Sequence, residues 1–463
     1  MSTSTRGSFS SRIGFIAAAA GSAVGLGNIW KFPYEVGNYG GAAFLIIYVL
    51  CAFIICMPIM VAEIAMGRNA QLNPFGTYKK LGGKGWAWAG FFGILAGVMI
   101  LSFYNVVAGW AFGYFLQISF GDLLAQGDYG AYFGRYVANV GDNMVFSLAF
   151  MVLTALIVVG GVQKGIERWT KILMPALISI ILVLIIYGLT LDNAFKGIEF
   201  YLVPDFGKIN MEVLYKALSQ AFFSLSLGMG ALITYGSYFS KKDNIVSSAA
   251  LVTTADLSIA FLAGMLIFPL VFFQGIAPTE GPGLVFVALP GIFEAMGPIL
   301  GRVVGGGFFL LLCFAALTST ISLLEVPVAF VTDQFKTGRK KTVWLLAVLI
   351  FLIGLPSMLS QGAVSWLTEF VSYGGQTRDF MTVVIDIFSD IALPLGGFLI
   401  SIFVAYKWKI ARFSDELEHG HPKFRGTWEE KFVTIMLSTL SPLIVGFIVL
   451  ATILERFAGI SLF

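Results

Sequence analysis

Runs of about 20 apolar residues recur from Ile13 to Leu454, each long enough to carry a helix across the roughly 30 Å hydrocarbon layer of a bilayer. Inside that layer a segment must satisfy its own backbone N–H and C=O groups, so such runs fold as membrane-crossing helices. Of 463 residues, 58% are hydrophobic and 12% charged, too few polar side chains to coat a soluble globule of this size. The spans read as 12–36, 41–67, 88–118, 144–161, 170–190, 212–239, 247–274, 301–332, 342–359, 381–406 and 432–455. These eleven form one integrated membrane domain over 1–463, with no separate soluble unit and no nucleic-acid partner expected. The stretch from Gly275 to Pro298 holds an apolar run too short to cross, and reads as an extracellular cap.

Lys and Arg favour cytoplasmic loops, and here they alternate. Arg6 and Arg12 precede the first span, and basic clusters follow the second (Lys79, Lys80, Lys84), fourth (Lys164, Arg168, Lys171), sixth (Lys241, Lys242), eighth (Arg339, Lys340, Lys341) and tenth (Lys407, Lys409, Arg412). The intervening loops carry Asp122, Asp128, Asp142, Asp192, Glu199, Asp205, Glu369 and Asp379. This places the amino terminus in the cytoplasm and the carboxyl terminus outside, in a plasma (inner) membrane. Arg12 followed by IGFIAAAAGSA imitates a signal peptide, but the segment runs on through VGLGNIWKFPY without a mature boundary. Cys51, Cys56 and Cys313 all sit in apolar runs and read as buried thiols.

Two spans are chemically odd in the same way. The first carries GSAVGLGN at 21–28 and the sixth SLSLGMG at 224–230. Glycine costs about 1 kcal/mol relative to alanine inside a helix, and a freed backbone group in hydrocarbon costs several more. Such runs survive where backbone lines a cavity. The alternative for either alone is small-residue packing of the GxxxG kind. Matched interruptions five spans apart instead mark a transporter built from inverted repeats with its site at the midplane. The repeats read as 12–190 and 212–406, with 432–455 as an extra span.

A dehydrated sodium ion takes oxygen ligands from carbonyls, hydroxyls, amides and carboxylates. Unwinding at Gly25 and Gly27 would free carbonyls around Gly21, Ala23 and Val24, while Asn28 and Ser224 add side-chain oxygens. Asp256, an ionisable residue inside the seventh span, adds a formal charge and is expected to face a site. Thr318, Ser319 and Thr320 in the eighth span form a weaker cluster, since membrane Ser and Thr commonly bond their own helix.

The stretches GSAVGLGNIWKFPY, NYGGAAF, AEIAMGR, SFYNVVAGW and QAFFSLSLGMGALITYGSYF resemble the neurotransmitter:sodium symporter family, in particular its bacterial amino-acid transporters. The likeness runs from Arg6 to about Phe403. It implies two inverted five-helix repeats and sodium-driven uptake by alternating access. It places one sodium against Ala23, Asn28, Ser224, Asp256 and the substrate carboxylate, and a second against Gly21, Val24, Ala315, Thr318 and Ser319. The implied substrate pocket is Ser22, Ala23, Gly25, Gly27, Ile100, Tyr104, Phe223, Ser226, Met229, Ser319 and Leu323. Monoamine-transporting relatives carry an aspartate where this chain has Gly25, so here the substrate must bring its own carboxylate. With an apolar side-chain subsite, the expectation is a hydrophobic or aromatic L-amino acid.

The resemblance also implies gates: Lys31 with Asp386 on the outside, under which Phe223 and Tyr104 form a lid, and Arg6, Asp333 and Tyr238 on the inside, with Phe9 packing there. Helix spacing from LPLGG favours Asp386 over Asp390. The family usually has Arg where this chain has Lys31, and Lys lacks the bidentate fork. Glu63 matches a carboxylate that ties to the unwound sixth span. Asp256 stands where many relatives have Asn, and Ala260 lacks the polar group they use one turn on, so Asp256 is expected to supply the negative charge that chloride supplies elsewhere. Two sodium ions and no chloride requirement follow. The eleventh span is the last where many relatives have twelve, which leaves a homodimer allowed but its contact in question. A sodium-gated receptor or channel is disfavoured by candidate gates on both sides. An enzyme is disfavoured because His419 and His421 lie in one loop without a ligand cluster, and the spans show no serine nucleophile motif.

Overall fold

The computed structural model describes residues 7–275 and 284–458. Among them nine helices are long and apolar enough to cross a membrane: Ala42–Ala70, Lys84–Ser119, Val140–Val159, Val162–Gly188, Ile245–Phe273, Leu300–Phe335, Arg339–Leu359, Phe380–Glu418 and Trp428–Ile453. The first segment crosses only as a bent pair, Arg12–Ala23 and Gly27–Asn38, set at 47°. The sixth is two shorter helices, Met211–Ser224 and Ala231–Gly236, either side of irregular backbone. Counted with these two broken segments, the described residues hold eleven spans in the expected order.

Polar caps fix where several helices begin. Ser11, Asn73, Asn139, Asn244, Asp379 and Thr427 each accept a hydrogen bond from a backbone N–H of the following turn. The outer surface is apolar, with Val183, Ile186 and Leu443 well exposed, as suits helices solvated by lipid. The third and eighth spans share the largest helix contact in the bundle.

Small residues let backbones touch where the broken sixth span crosses the second. A Cβ on Gly67 would strike the Ile233 carbonyl oxygen, and one on Gly236 would lie 2.5 Å from that of Ile64. Neither neighbour is a flexible side-chain end, so overpacking here costs about 1–3 kcal/mol or more. Gly67→Ala is therefore expected to lower the melting temperature and the yield of monodisperse protein in detergent. Unchanged thermal unfolding would show that this crossing yields.

Several boundaries differ from expectation. The tenth span does not end at 406 but continues through a π-helical stretch, Phe403–Lys409, to Glu418, so Lys407, Lys409 and Arg412 lie on helix rather than loop. The third begins at Lys84, because a 3-10 turn feeds straight into it. Within the cap, residues 276–283 lie outside the described chain, and Val285–Ala295 forms the short apolar helix. Between the ninth and tenth spans lies an unforeseen antiparallel hairpin, β1 (Val371–Tyr373) and β2 (Gln376–Arg378), turned at Gly374 and Gly375 with φ of 59° and 73°. Positive φ at both central residues is what a tight two-residue hairpin demands.

Candidate functional site

The two breaks face each other. The first helix stops at Ala23, Val24 takes an extended conformation (φ −71°, ψ 111°), and helix resumes at Gly27. In the sixth span Ser226, Gly228 and Gly230 adopt left-handed φ values of 55°, 81° and 76°. For Ser226 that conformation costs about 1–2 kcal/mol, and its hydroxyl offsets this by donating to the Ser22 carbonyl at 2.8 Å. Gln220 Nε2 donates to Gly27 O at 2.8 Å, and Gly228 N–H donates to Glu63 Oε1 at 2.8 Å. The unwound backbone is thus satisfied by side chains from the opposite break and from the second span, as burial in hydrocarbon requires. Glu63 occupies the tying position expected of it.

Between the breaks lies a small cavity of about 20 Å³, well below the usual size of small-molecule sites, so its walls must part to admit a ligand. Its walls are Ser22, Ala23, Gly25, Gly27, Ile100, Tyr104, Phe223, Ser226, Met229, Ser319 and Leu323, which brings together every residue assigned to the substrate, and Ser224 joins them. Gly25 and Gly27 keep it open. A Cβ on Gly25 would strike Ser319 Oγ and lie 2.6 Å from the Tyr104 hydroxyl, and one on Gly27 would lie 3.0 Å from the Phe223 ring. One end is polar: Leu26 N–H donates to Tyr104 Oη at 2.8 Å, which leaves the phenol's own proton to donate onward. The other end, from Ile100, Phe223, Met229 and Leu323, is apolar. A larger groove of about 490 Å³ lies among Met57, Val246 and Phe432, but it touches neither break.

Two oxygen clusters flank the break in the first span. In one, the fully buried Asp256 carboxylate accepts from Asn28 Nδ2 at 2.7 Å, Ser224 Oγ at 2.8 Å and Tyr48 Oη at 3.2 Å. Asn28 Oδ1 faces the Gly25 N–H at 2.9 Å, so turning its amide over would present that oxygen to a cation beside Asp256. Tyr48 was missed from sequence, because a tyrosine in an apolar run looks like packing. In the other cluster Thr318 Oγ1 lies 3.1 Å from Val24 O and 2.9 Å from Ala315 O, alternative acceptors for its one proton, with Ser319 Oγ 3.4 Å from Val24 O. Gly21 lets the helices approach closely there, since a Cβ would meet Thr170 Cγ2 at 3.2 Å and Thr318 Cβ at 3.4 Å. Neutral oxygens with at most one carboxylate suit a hard monovalent cation.

Charged groups close the cavity on the Lys31 side, but not in the expected pairing. Lys31 Nζ lies 3.5 Å from Asp390 Oδ1 and 4.8 Å from the centre of the Phe223 ring, and it pairs with Asp390 rather than Asp386. The reason is local: Asp386–Ile391 is π-helical, which alters the spacing that favoured Asp386, and Asp386 is taken by Arg456 and by the Tyr373 hydroxyl at 2.6 Å. Burial first, then Asp386, raises the Tyr373 phenol above its ordinary pKa, so it stays a donor. On the opposite side Tyr238 Oη donates to Glu325 at 2.8 Å, and Glu325 also pairs with Arg339. Asp333 accepts from the Asn73 N–H and side-chain amide at 3.0 and 2.9 Å, while Phe9 packs edge-on against Tyr235 and Tyr238. Arg6 lies outside the described residues.

A helical bundle with two facing broken spans, a small pocket and oxygen clusters between them, and charged closures at both ends defines a membrane transporter with a midplane site. The chain belongs to the sodium:neurotransmitter symporter family, whose description matches residues 6–133 and 131–459. It is 40% identical over 415 residues to YhdH of Bacillus subtilis, an uncharacterized sodium-dependent transporter, covering 89% of this chain and 90% of that one. It is 29% identical to the sodium-dependent serotonin transporter of Drosophila melanogaster, over 82% of this chain and 68% of that one. Its structure matches that of MhsT in complex with L-phenylalanine with a TM-score of 0.88 and 43% identity, covering 96% and 99% of the two chains. The protein is a sodium-dependent membrane transporter and not an enzyme.

Proposed function

We propose that the chain imports a hydrophobic or aromatic L-amino acid together with two sodium ions, without requiring chloride, by alternating access between two inverted repeats, 12–190 and 212–406. The observation that carries this reading is the division of the cavity: hydrogen-bonding groups of Gly25, Leu26 and Tyr104 at one end, apolar side chains at the other. An α-carboxylate fits the first end, where Tyr104 donates to it. Its side chain fills the second, where an unpaired charge would be costly. L-Phenylalanine in the structurally similar MhsT supports this choice. The first sodium takes Ala23, Asn28, Ser224, Asp256 and the substrate carboxylate; the second takes Gly21, Val24, Ala315, Thr318 and Ser319. Asp256 neutralises one ion, which removes the need for an anion. The alternating basic loops orient the amino terminus inward, so Lys31 lies on the outer side.

Two ions entering down a tenfold gradient with 100 mV supply roughly 7 kcal/mol. A thermal-shift screen of the standard amino acids, in sodium and in choline, tests the reading. Stabilisation is expected from phenylalanine, leucine and similar residues in sodium alone. A response confined to charged amino acids, or one equal in choline, would sink it. Proteoliposome uptake should be unchanged when gluconate replaces chloride.

A further inference from the structure

We propose that the outer end of the eleventh span is a working part of the outer gate, with Arg456 neutralising Asp386 and holding Asp390 where Lys31 meets it. The inference rests on the transport reading and adds to it a positioning residue from outside both repeats. Asp386 and Asp390 lie one turn apart on the tenth span and are 8% and 13% exposed. Lys31, a point charge on a flexible stem, reaches Asp390 but leaves Asp386 without a cation. Arg456 reaches both: it pairs with Asp386, and its Nη2 lies 2.5 Å from Asp390 Oδ2. A planar guanidinium is the side chain that can bridge two carboxylates at once.

The arrangement is built rather than incidental. Phe457 stacks on Tyr373 at 5.3 Å, clamping the end of the eleventh span to the β1–β2 hairpin, and Tyr373 in turn donates to Asp386. With Lys31 and Arg456 set against Asp386 and Asp390, the cluster is balanced. Glu35 and Lys216, at its rim, add one charge of each sign. Removing Arg456 leaves one carboxylate buried and uncompensated when the gate is shut, a strongly unfavourable state. In an open vestibule water would solvate it. Loss of Arg456 therefore favours the open gate.

The readout is labelling of Ile100→Cys, a reporter inside the cavity, by an impermeant thiol reagent added from outside in sodium without any amino acid. Background is low because Cys51, Cys56 and Cys313 are buried. Arg456→Ala in this reporter is expected to speed labelling about tenfold. Adding Asp386→Asn restores the charge balance and should return the rate to within about threefold of the parent, which mere loosening of a helix would not do. Arg456→Gln carries the same expectation as Arg456→Ala, so misfolding of one variant does not decide the matter. Labelling that is unchanged or slower in the Arg456 variants, or that stays fast after Asp386→Asn is added, would overturn the proposal. Because no amino acid is present, the gate and the substrate assignment fail separately.

Discussion

Asp256→Ala is expected to abolish sodium-dependent binding, lowering apparent sodium affinity by at least about 100-fold, the scale set by removing one partner of a buried charge pair. Asp256 is fully buried and takes three side-chain donors, from Asn28, Ser224 and Tyr48. No structural role in a helix interface calls for a carboxylate there, since a neutral acceptor could receive the same donors. A carboxylate becomes favourable when a cation sits against it. Asp256→Asn separates the two parts of its work: the near-isostere keeps the packing but not the charge, so uptake should reappear when chloride is supplied and fail in gluconate. Sodium titration of thermal stability, on the parent and both variants, provides the check. Sodium affinity within about threefold of the parent in Asp256→Ala would remove this residue from the ion site.

Much of this site could be read from sequence because its physics is local. Glycine and small polar residues in the middle of an apolar run have few explanations, so GSAVGLGN and SLSLGMG mark the breaks by themselves. Their facing partners came from the family resemblance, and all eleven substrate-pocket residues meet in one cavity. What escaped depends on register and on distant chain. The Lys31 partner hinged on a π-helical stretch, Asp386–Ile391, that helical spacing does not anticipate. Arg456 lies after the last span and 66 residues from Asp390, with nothing in its surroundings to suggest a vestibule. The hairpin was legible and overlooked: VSYGGQTR has β-formers around two glycines, a two-residue turn signal. Its Tyr373, together with Arg456, ties Asp386 away from Lys31.

Gly25 carries the largest expected effect on selectivity. A Cβ there would strike the Ser319 hydroxyl and approach the Tyr104 hydroxyl to 2.6 Å, so any side chain enters the polar end of the cavity. Tyr104 cannot withdraw without giving up the Leu26 N–H, and Ser319 stands on the eighth span beside Val24. Gly25→Ala should fold, since its Cβ points into the cavity and meets side-chain hydroxyls rather than backbone, yet occupy the place of the substrate carboxylate. L-Phenylalanine uptake is expected to fall at least about 100-fold, the scale of losing a buried charged hydrogen-bonding group. Gly25→Asp goes further, because it supplies from the protein the carboxylate that the substrate otherwise brings. Sodium-dependent binding of L-phenylalanine should vanish, two carboxylates being unable to share that end. Phenethylamine, the same molecule without its carboxylate, should bind in its place. Equilibrium binding of both labelled compounds to the parent and the two variants decides it. If Gly25→Ala holds L-phenylalanine within about threefold of the parent, the carboxylate lies elsewhere and the polar end of the cavity has been misassigned.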